Sequence, residues 1–288
     1  MKKLKLLNGL EVPEIVFGCY SAEPQKNNFK KAIIDAIDAG FTYFDTASIY
    51  GTEKILADAI KESGIPRSKL QIASKAWVDE MGYCEIKEAF YRSLDRLNTD
   101  YLDVYLIHWP KSGPEDFKWK EKDLESWRAM EELYKAGVVK AIGVSNFLPH
   151  HLLNIMNNCS VIPSIDQLEI HPGYSQEAAV RFCLDHGIMP QAHSALGSGA
   201  MINNHYVAEL AVKYEKTVPQ ICLKFLLQKG IVPVTKSSNP EHLRSNIDIF
   251  DFEISEEDLW FLSCIPQNNA VDDHPDFGTQ TMKSDFYQ

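Results

Sequence analysis

The chain has 288 residues, 45% of them hydrophobic, which is enough to bury the core of one large domain or of two smaller ones. Its formal net charge of −11, without a conspicuous run of Lys and Arg, argues against a nucleic-acid partner. No stretch approaches the roughly 18 consecutive apolar residues of a membrane span, and the N-terminus lacks an apolar signal-peptide core. The six cysteines are scattered without a CxxC pair. We therefore expect a cytoplasmic protein with reduced thiols and no membrane partner.

The predicted elements begin with a short hairpin in residues 4–15, which turns at Asn8-Gly9. Short apolar runs typical of buried strands follow at residues 14–18, 41–45, 70–75, 102–108, 139–145, 163–170, 188–194 and 231–236. Amphipathic helical patterns separate them at residues 27–40, 52–64, 84–97, 125–137, 148–158, 175–187, 207–217 together with 218–230, and 240–247. The first two helices each end at a glycine, Gly40 and Gly64, as helices often do.

Eight alternations of strand and helix predict an α/β fold with a parallel sheet. This number of units in about 250 residues is typical of a (β/α)8 barrel, whereas a doubly wound sheet usually has fewer strands per domain. No linker rich in Pro, Gly or Ser divides the chain. We therefore expect one barrel domain over residues 1–288, with the N-terminal hairpin covering the bottom of the barrel.

The active site of such a barrel lies at the carboxyl ends of its strands, so the polar residues that end the apolar runs are candidates. Asp45 ends the second run and Tyr50 follows in the next loop, while Lys75 and His108 end the third and fourth runs. The later runs end in or carry Ser145, Asn146, Gln167, Glu169, His193, Ser194, Lys236, Ser237 and Ser238. Singly, each of the first four has an ordinary structural explanation. Their occurrence at consecutive strand ends is the informative observation.

These four side chains suit proton transfer. A phenol such as Tyr50 titrates near pH 10, and a neighbouring ammonium such as Lys75 lowers that pKa by stabilising phenolate. A carboxylate holds the ammonium in place, and a neutral imidazole can donate a hydrogen bond to the substrate oxygen. The set predicts a general acid for an oxygen that gains negative charge, such as a carbonyl that receives hydride. The hydride has to come from a cofactor.

The cofactor site is not a Rossmann site, because no GxGxxG follows the first strand. Barrels usually bind phosphate in the loops after their last two strands, near a helix N-terminus. Here those loops read HSALGSGA and TKSSNPEHLRSN, with small residues and hydroxyl donors. Alone, the second loop is equally well explained as an ordinary helix cap.

The sequence resembles the aldo-keto reductases across nearly its whole length, with the short-loop organisation of bacterial members. The resemblance rests on long, ordered motifs: GFTYFDTASIYGTE, IASKAW, YLIHWP, AMEELYKAGVVKAIGVSNF, PSIDQLEIHP and VPVTKSSNPEHLRSNIDIFDFEIS. It implies a (β/α)8 barrel whose C-terminal tail folds over the active site. It also implies reduction of an aldehyde or ketone to an alcohol with NADPH or NADH.

The resemblance further implies roles for individual residues. Tyr50 would be the general acid, with Lys75 lowering its pKa, Asp45 pairing with Lys75 and His108 orienting the carbonyl. The implied cofactor contacts are Gly18, Ser145, Asn146, Gln167, His193, Ser194, Leu196, Ser198, Lys236, Ser237, His242 and Asn246. The implied substrate contacts are Tyr20, Trp77, Trp109 and, in the tail, Phe277.

Three positions depart from the family pattern. His193 stands where a tyrosine usually stacks on the nicotinamide, and Tyr20 stands where many relatives have tryptophan. His242 stands where many members have an arginine that clamps the 2′-phosphate of NADPH. Arginine has a fixed fork of donors and a permanent charge, and histidine has neither. We therefore expect a weakened NADPH preference and usable NADH.

Two other functions stay open at the sequence level. One is a metal-dependent barrel hydrolase with Asp45, His108, Glu169 and His171 as ligands, although the neighbouring Lys75 disfavours a cation. The other is an NADP(H)-binding regulatory barrel without turnover, which the presence of all four catalytic residues disfavours. A monomer is the default expectation for the assembly.

Overall fold

The computed structural model of the chain describes residues 2–22, 28–266 and 273–279. In these ranges the strands are β1 Lys3–Lys5, β2 Glu11–Pro13, β3 Val16–Gly18, β4 Tyr43–Asp45, β5 Gln71–Ala76, β6 Leu102–Ile107, β7 Val139–Ser145, β8 Ile165–Glu169, β9 Met189–His193 and β10 Val232–Thr235. The α-helices are α1 Phe29–Ala39, α2 Glu53–Ser63, α3 Tyr83–Leu97, α4 Trp119–Lys135, α5 Pro149–Met156, α6 Glu177–Asp185, α7 His205–Lys213, α8 Val218–Gln228, α9 Pro240–Ile247 and α10 Glu256–Ser263.

The eight strands β3 to β10 close into a parallel barrel, in the order β10-β3-β4-β5-β6-β7-β8-β9. The predicted (β/α)8 architecture is therefore confirmed. The large apolar core lies between the strands and the surrounding helices, where residues such as Phe44, Tyr105 and Ile142 are fully buried. No helix in the described ranges has both the length and the apolar character needed to cross a bilayer.

The N-terminal hairpin covers the amino end of the barrel, as its sequence predicts. β1 and β2 pair antiparallel, with Lys3 opposite Pro13. Leu6 and Val12 are buried in one cluster with Val16, Tyr43, Ala73, Val104, Leu106, Ala141, Ile165 and Val232 from the barrel strands. Because the bottom is closed in this way, a ligand of the barrel has to enter at the carboxyl ends of the strands.

Helix boundaries follow local signals where those signals are strong. Gly40 and Gly64 end α1 and α2 with φ of 106° and 71°, a left-handed backbone that glycine adopts without strain. α8 begins at a capping box, in which the backbone N–H of Thr217 donates to Gln220 Oε1 at 2.9 Å. These termini agree with the sequence patterns.

Two helices depart from the sequence prediction. α4 begins at Trp119, six residues before the predicted start, and α10 lies in a region where the sequence patterns predict no helix. The apolar residues of α10 do not share one face, since Trp260 is 69% exposed while Leu262 is buried. Its start is defined instead by Ser255, whose hydroxyl accepts a hydrogen bond from the backbone N–H of Asp258 at 3.2 Å.

Candidate active site

The carboxyl ends of β4 and β5 bring an acid and a lysine together below the barrel mouth. Lys75 Nζ donates to Asp45 Oδ2 at 2.5 Å and to the Thr46 carbonyl oxygen at 3.0 Å. The Lys75 side chain is fully buried and that of Asp45 is 4% exposed. A buried pair of this kind is strongly destabilised when one partner is removed, because the other charge is left without compensation. Asp45 and Lys75 therefore have to be treated as one unit.

Tyr50 lies at the end of a short 3₁₀ helix, Ser48–Tyr50, directly above this pair. Lys75 Nζ is 5.2 Å from the centre of the Tyr50 ring, and the Tyr50 hydroxyl is 3.3 Å from His108 Nε2. Tyr20 packs edge-on against the Tyr50 ring, and Trp77 packs edge-on against the ring of His108. The phenol hydroxyl thus faces a cation on one side and an imidazole on the other, between aromatic walls.

His108 is held in its neutral form. Burial lowers the pKa of His108 well below its usual range, and the positive charge of Lys75 and the nearby His193 lower it further. Its Nδ1 is buried and has no hydrogen-bond partner among the residues that the structure describes. Its Nε2 is the atom that faces Tyr50. A neutral imidazole with Nε2 at the cavity can donate or accept a hydrogen bond there without adding charge.

Amide side chains from β7, β8 and β9 continue the site on the far side of Asp45. Gln167 Nε2 donates to Asp45 Oδ1 at 3.1 Å. Asn146 Nδ2 donates to the His108 carbonyl oxygen at 3.0 Å, and Asn146 Oδ1 lies 3.1 Å from His193 Nε2. Ser145 Oγ donates to the Gln167 carbonyl oxygen at 2.8 Å. These bonds fix several polar side chains in one layer, a suitable surface for a planar group that carries a carboxamide.

The loop after β9 is shaped for close approach of an anion. Ser194, Gly197, Ser198 and Gly199 all have positive φ, between 49° and 97°. Small residues in this conformation let the backbone turn tightly and approach a ligand closely, while the N–H groups of Gly197 and Gly199 donate within the loop to the carbonyl oxygens of Ser194 and Leu196. Lys236, at the end of β10, lines the same cavity. The donor set therefore fits a phosphate-bearing nucleotide, as the sequence of this loop predicts.

A single cavity of about 470 Å³ joins these parts. Of the residues predicted from the sequence, it is lined by Gly18, Tyr20, Asp45, Tyr50, Trp77, His108, Trp109, Asn146, Gln167, His193, Ser194, Leu196, Ser198 and Lys236. Cavities of a few hundred Å³ with few polar groups are typical of small-molecule sites. The acid–base group and the anion-binding loop thus open into one space.

The other predicted residues do not line the cavity. Lys75 and Ser145 are buried directly behind its wall. Ser237 Oγ accepts from the Asn239 backbone, and Asn246 Nδ2 donates to Thr235 Oγ1. His242 is exposed on α9. These three lie around the loop after β10, beyond the cavity wall.

Phe277, the predicted substrate contact in the tail, is not among the residues that line the cavity. Its side chain is 60% exposed and packs against His274, whereas Thr279 lines the cavity two residues later. The tail thus contributes a different residue from the one expected. Five further residues line the cavity that the sequence motifs did not single out: Ala195, Gly199, Val234, Thr235 and Thr279. The first four adjoin predicted strand-end residues, while Thr279 had no sequence signal.

The residues of the metal-hydrolase alternative do not form one ligand set. His171 Nδ1 donates to the Pro172 carbonyl oxygen at 2.9 Å, and His171 Nε2 lies 3.2 Å from Glu169 Oε1. Asp45 is paired with Lys75. Within the described part of the chain, the one group of three or more potential metal ligands is His150, His151 and Asp276, outside this site. The geometry favours the proton-transfer interpretation over the metal-dependent one.

The comparisons with known proteins agree with this geometry. Residues 14–260 match the model of the Aldo/keto reductase family. The chain is 39% identical over 273 residues to a glyoxal reductase of Bacillus subtilis (strain 168), a match that covers 95% of this chain and 96% of that protein.

Solved structures with the same fold are also similar in sequence. An aldo-keto reductase from a Medee basin deep-sea metagenome library has a TM-score of 0.88 at 35% identity, covering 96% of this chain and 98% of that one. A Bombyx mori aldo-keto reductase in complex with NADP has a TM-score of 0.86 at 29% identity, covering 96% and 99%.

Proposed function

This chain belongs to the aldo/keto reductase family of oxidoreductases, and we propose that it reduces a small aldehyde or ketone to an alcohol with Tyr50 as the proton donor. NADP-dependent carbonyl reduction is typical of the family. One observation supports the proposal most directly. The Tyr50 hydroxyl, His108 Nε2 and Asp45, which pairs with the buried Lys75 behind the wall, share one cavity with a loop suited to phosphate.

The proton transfer follows from the positions of the charges. A bound nicotinamide would supply the hydride for the carbonyl carbon. The Tyr50 hydroxyl gives its proton to the carbonyl oxygen. The phenolate that Tyr50 then carries is stabilised by Lys75, whose Nζ is 5.2 Å from the ring centre. Asp45 keeps the ammonium in position in the absence of solvent. A proton from solvent restores Tyr50 before the next turnover.

His108 orients the carbonyl. Because its ring is neutral, its Nε2–H can donate to the carbonyl oxygen beside Tyr50 without opposing the proton transfer. Tyr20, Trp77 and Trp109 form the apolar wall against which the substrate side chain packs. In the reverse direction the same groups would accept the proton of an alcohol.

The cofactor would lie along the amide layer and the loop after β9. Asn146, Gln167 and Ser145 would hold the carboxamide, with the His193 ring against the nicotinamide. Ser194, Leu196, Ser198 and Gly18 would line the pyrophosphate path, and Lys236, Ser237, His242 and Asn246 would surround the adenosine end. Since all these residues belong to one chain, we propose that the monomer is active.

We further propose that NADH is a usable cofactor, because His242 replaces the arginine that clamps the 2′-phosphate in many relatives. The ratio of kcat/KM for NADPH and NADH measures this directly. A preference for NADPH above about a thousandfold, equivalent to about 4 kcal/mol, would contradict the proposal.

The test of the function is NAD(P)H oxidation over a panel of carbonyls with wild-type protein and Tyr50→Phe. The glyoxal reductase relative makes methylglyoxal and glyoxal the first probes, followed by aromatic aldehydes and α-keto esters. We expect Tyr50→Phe to lose turnover by about 10²–10⁴-fold, the usual contribution of a general acid, and to keep NADPH affinity. Binding is followed by protein fluorescence quenching.

Tyr20→Phe is the matched control, because it removes a hydroxyl from the same cavity and keeps the ring that packs against Tyr50. It should keep most of the turnover. Near wild-type turnover in Tyr50→Phe would refute the assignment of the acid. NADPH binding by the wild type without oxidation over the whole panel would support the regulatory barrel instead.

A further inference from the structure

The described part of the C-terminal tail, residues 273–279, is attached to the barrel by a small polar cluster outside the proposed catalytic group. Lys111 Nζ donates to the Asp276 carbonyl oxygen at 2.7 Å, and His150 Nε2 donates to Asp276 Oδ1 at 2.8 Å. His151 Nε2 lies 3.3 Å from the same oxygen. We call Lys111, His150, His151 and Asp276 the tail clasp.

The clasp joins three segments at one side of the barrel mouth. Lys111 lies in the loop after β6, the two histidines lie in the first turn of α5, and Asp276 lies in the tail. Gly278 is packed so closely that a Cβ there would lie 2.3 Å from the backbone nitrogen of Gly113. Backbone meets backbone at this point, so the loop and the tail form one surface.

The tail held in this way forms part of the proposed active-site wall. Thr279, three residues after Asp276, lines the same cavity as Tyr50 and His108. Trp109, which precedes Lys111 by two residues, lines it from the other side of the clasp. The position of Asp276 therefore affects the space between Thr279 and Trp109.

The clasp has the composition of a metal site, but the hydrogen bonding of His151 disfavours a metal. Its Nδ1 accepts a hydrogen bond from the backbone N–H of Leu148 at 3.1 Å, so the proton of the neutral ring is on Nε2. The side chain is fully buried, and burial together with His150 lowers the pKa of His151 to about 3, so the ring is neutral at physiological pH. A protonated Nε2 cannot coordinate a cation, and in the described residues this atom lies 3.3 Å from Asp276 Oδ1 without forming a hydrogen bond.

We propose that Asp276 is a positioning residue, which through the hydrogen bond from His150 to its carboxylate and the bond from Lys111 to its carbonyl oxygen holds the tail against the cavity. The tail in this position retains carbonyl substrates large enough to reach Thr279. Small dicarbonyls, which bind next to Tyr50 and His108, do not depend on it. The kinetic part of this inference rests on the proposed function, while the attachment of the tail does not.

The first experiment is hydrogen–deuterium exchange of the peptide that contains residues 273–279. The variants are Asp276→Ala, His150→Ala and the double variant, with His150→Gln as the conservative replacement that keeps a side-chain N–H donor. We expect about tenfold faster exchange in Asp276→Ala, because its loss opens a locally stabilised segment. The double variant should be no faster than Asp276→Ala, and His150→Gln should stay close to wild type.

Asp185→Ala is the control, because Asp185 is a similarly exposed acid that pairs with Arg181 at the end of α6. It should leave the exchange of the tail unchanged. Unchanged exchange in both Asp276→Ala and His150→Ala would overturn the clasp. Stoichiometric Zn²⁺ in the purified protein, together with faster tail exchange after EDTA, would also overturn it in favour of a metal site.

The second experiment measures kinetics with two probes of different size, methylglyoxal and 4-nitrobenzaldehyde. For Asp276→Ala we expect KM for 4-nitrobenzaldehyde to rise about fivefold, the factor for one lost favourable contact, with KM for methylglyoxal and the Kd of NADPH nearly unchanged. An equal rise for both probes would contradict a positioning role at the outer wall. Absence of wild-type turnover over the whole carbonyl panel would refute the proposed function, and the exchange result would still decide on the clasp.

Discussion

Individual residues at the site combine ordinary strand-end positions with unusual surroundings. Lys75 is a strand residue like its neighbours, yet its ammonium is completely buried and is compensated by Asp45 at 2.5 Å. His108 has an ordinary sequence context, yet burial and Lys75 keep it neutral. The residue types were predictable because each polar residue interrupts an apolar strand pattern. Their distances and protonation states depend on the neighbouring strands.

The residue with the most specific consequence for cofactor choice is His242. We expect His242→Arg to increase the ratio of kcat/KM for NADPH over NADH by about tenfold, because a guanidinium adds a permanent charge and a bidentate donor for the 2′-phosphate. His242 is exposed on α9, so the substitution does not disturb the core. The measurement is steady-state kinetics with both cofactors at a fixed carbonyl concentration.

His242→Gln is the control for that experiment, since it keeps a polar side chain of similar reach without a charge. It should leave the ratio within about a factor of two. An unchanged ratio in His242→Arg would show that this position does not contact the 2′-phosphate.

At the scale of elements, β7 and β8 leave no room for a side chain at Gly143. A Cβ at this position would lie 2.5 Å from the Ile165 carbonyl oxygen and 2.9 Å from Leu106 Cδ2. This close approach sets the strand spacing at which Ser145 pairs with Gln167, two residues further along each strand. A backbone atom cannot move aside as a flexible side chain can. The glycine is therefore required by packing rather than by its φ.

We expect Gly143→Ala to destabilise the protein by about 3 kcal/mol, at the upper end of the cost of overpacking a core. The measurement is urea unfolding followed by far-UV circular dichroism, which also separates a stability change from loss of the fold. Gly113→Ala is the control, because a Cβ there meets nothing within 4 Å. Equal stability of the two variants would contradict the packing argument.

Loops between elements were predicted less well than the elements themselves. The small residues of HSALGSGA indicated a phosphate loop, and the structure has four positive φ values there. The sequence did not indicate α10, because its apolar residues do not follow a helical face. The tail was expected over the site with Phe277 inward, whereas Thr279 is the residue that lines the cavity. A tail whose apolar residues follow no helical or strand period is positioned only by its contacts with the barrel surface.

For the whole molecule, a buried acid outside the site affects the pH dependence of stability. Both carboxylate oxygens of Asp123, in α4, are buried and have no hydrogen-bond partner in the described ranges. Burial raises the pKa of Asp123 well above its usual range, and the negative charge of Asp116 raises it further. The folded state therefore holds a proton that the unfolded state releases above about pH 4.

This difference in bound protons determines whether the free energy of unfolding rises or falls with pH. Stability is unaffected by Asp123 below about pH 4 and decreases as the pH rises, until the folded state also loses the proton. We expect Asp123→Asn to be more stable than wild type at pH 8, by about 1 kcal/mol or more, with a smaller difference at pH 5. Urea unfolding at the two pH values measures both free energies.

Glu131→Gln should show the opposite trend. Burial raises the pKa of Glu131, but hydrogen bonds from Ser160 and Val161 outweigh it and hold the pKa below its usual value. The contribution of the Glu131 carboxylate to the free energy of unfolding is therefore present at neutral pH and lost as the pH falls. A pH-independent difference between wild type and Asp123→Asn would show that Asp123 is not protonated in the folded protein.

The sequence by itself determined the barrel, its hairpin cover and the residues of the proposed catalytic group. It could do so because strand and helix periodicity is local, and polar residues at strand ends lie at one end of a parallel barrel. Only the tertiary structure decided which of these residues share a cavity, that His108 is neutral and that Thr279 lines the wall. Those properties depend on burial and on contacts such as Asp276 with His150, 126 residues apart, which no local pattern encodes.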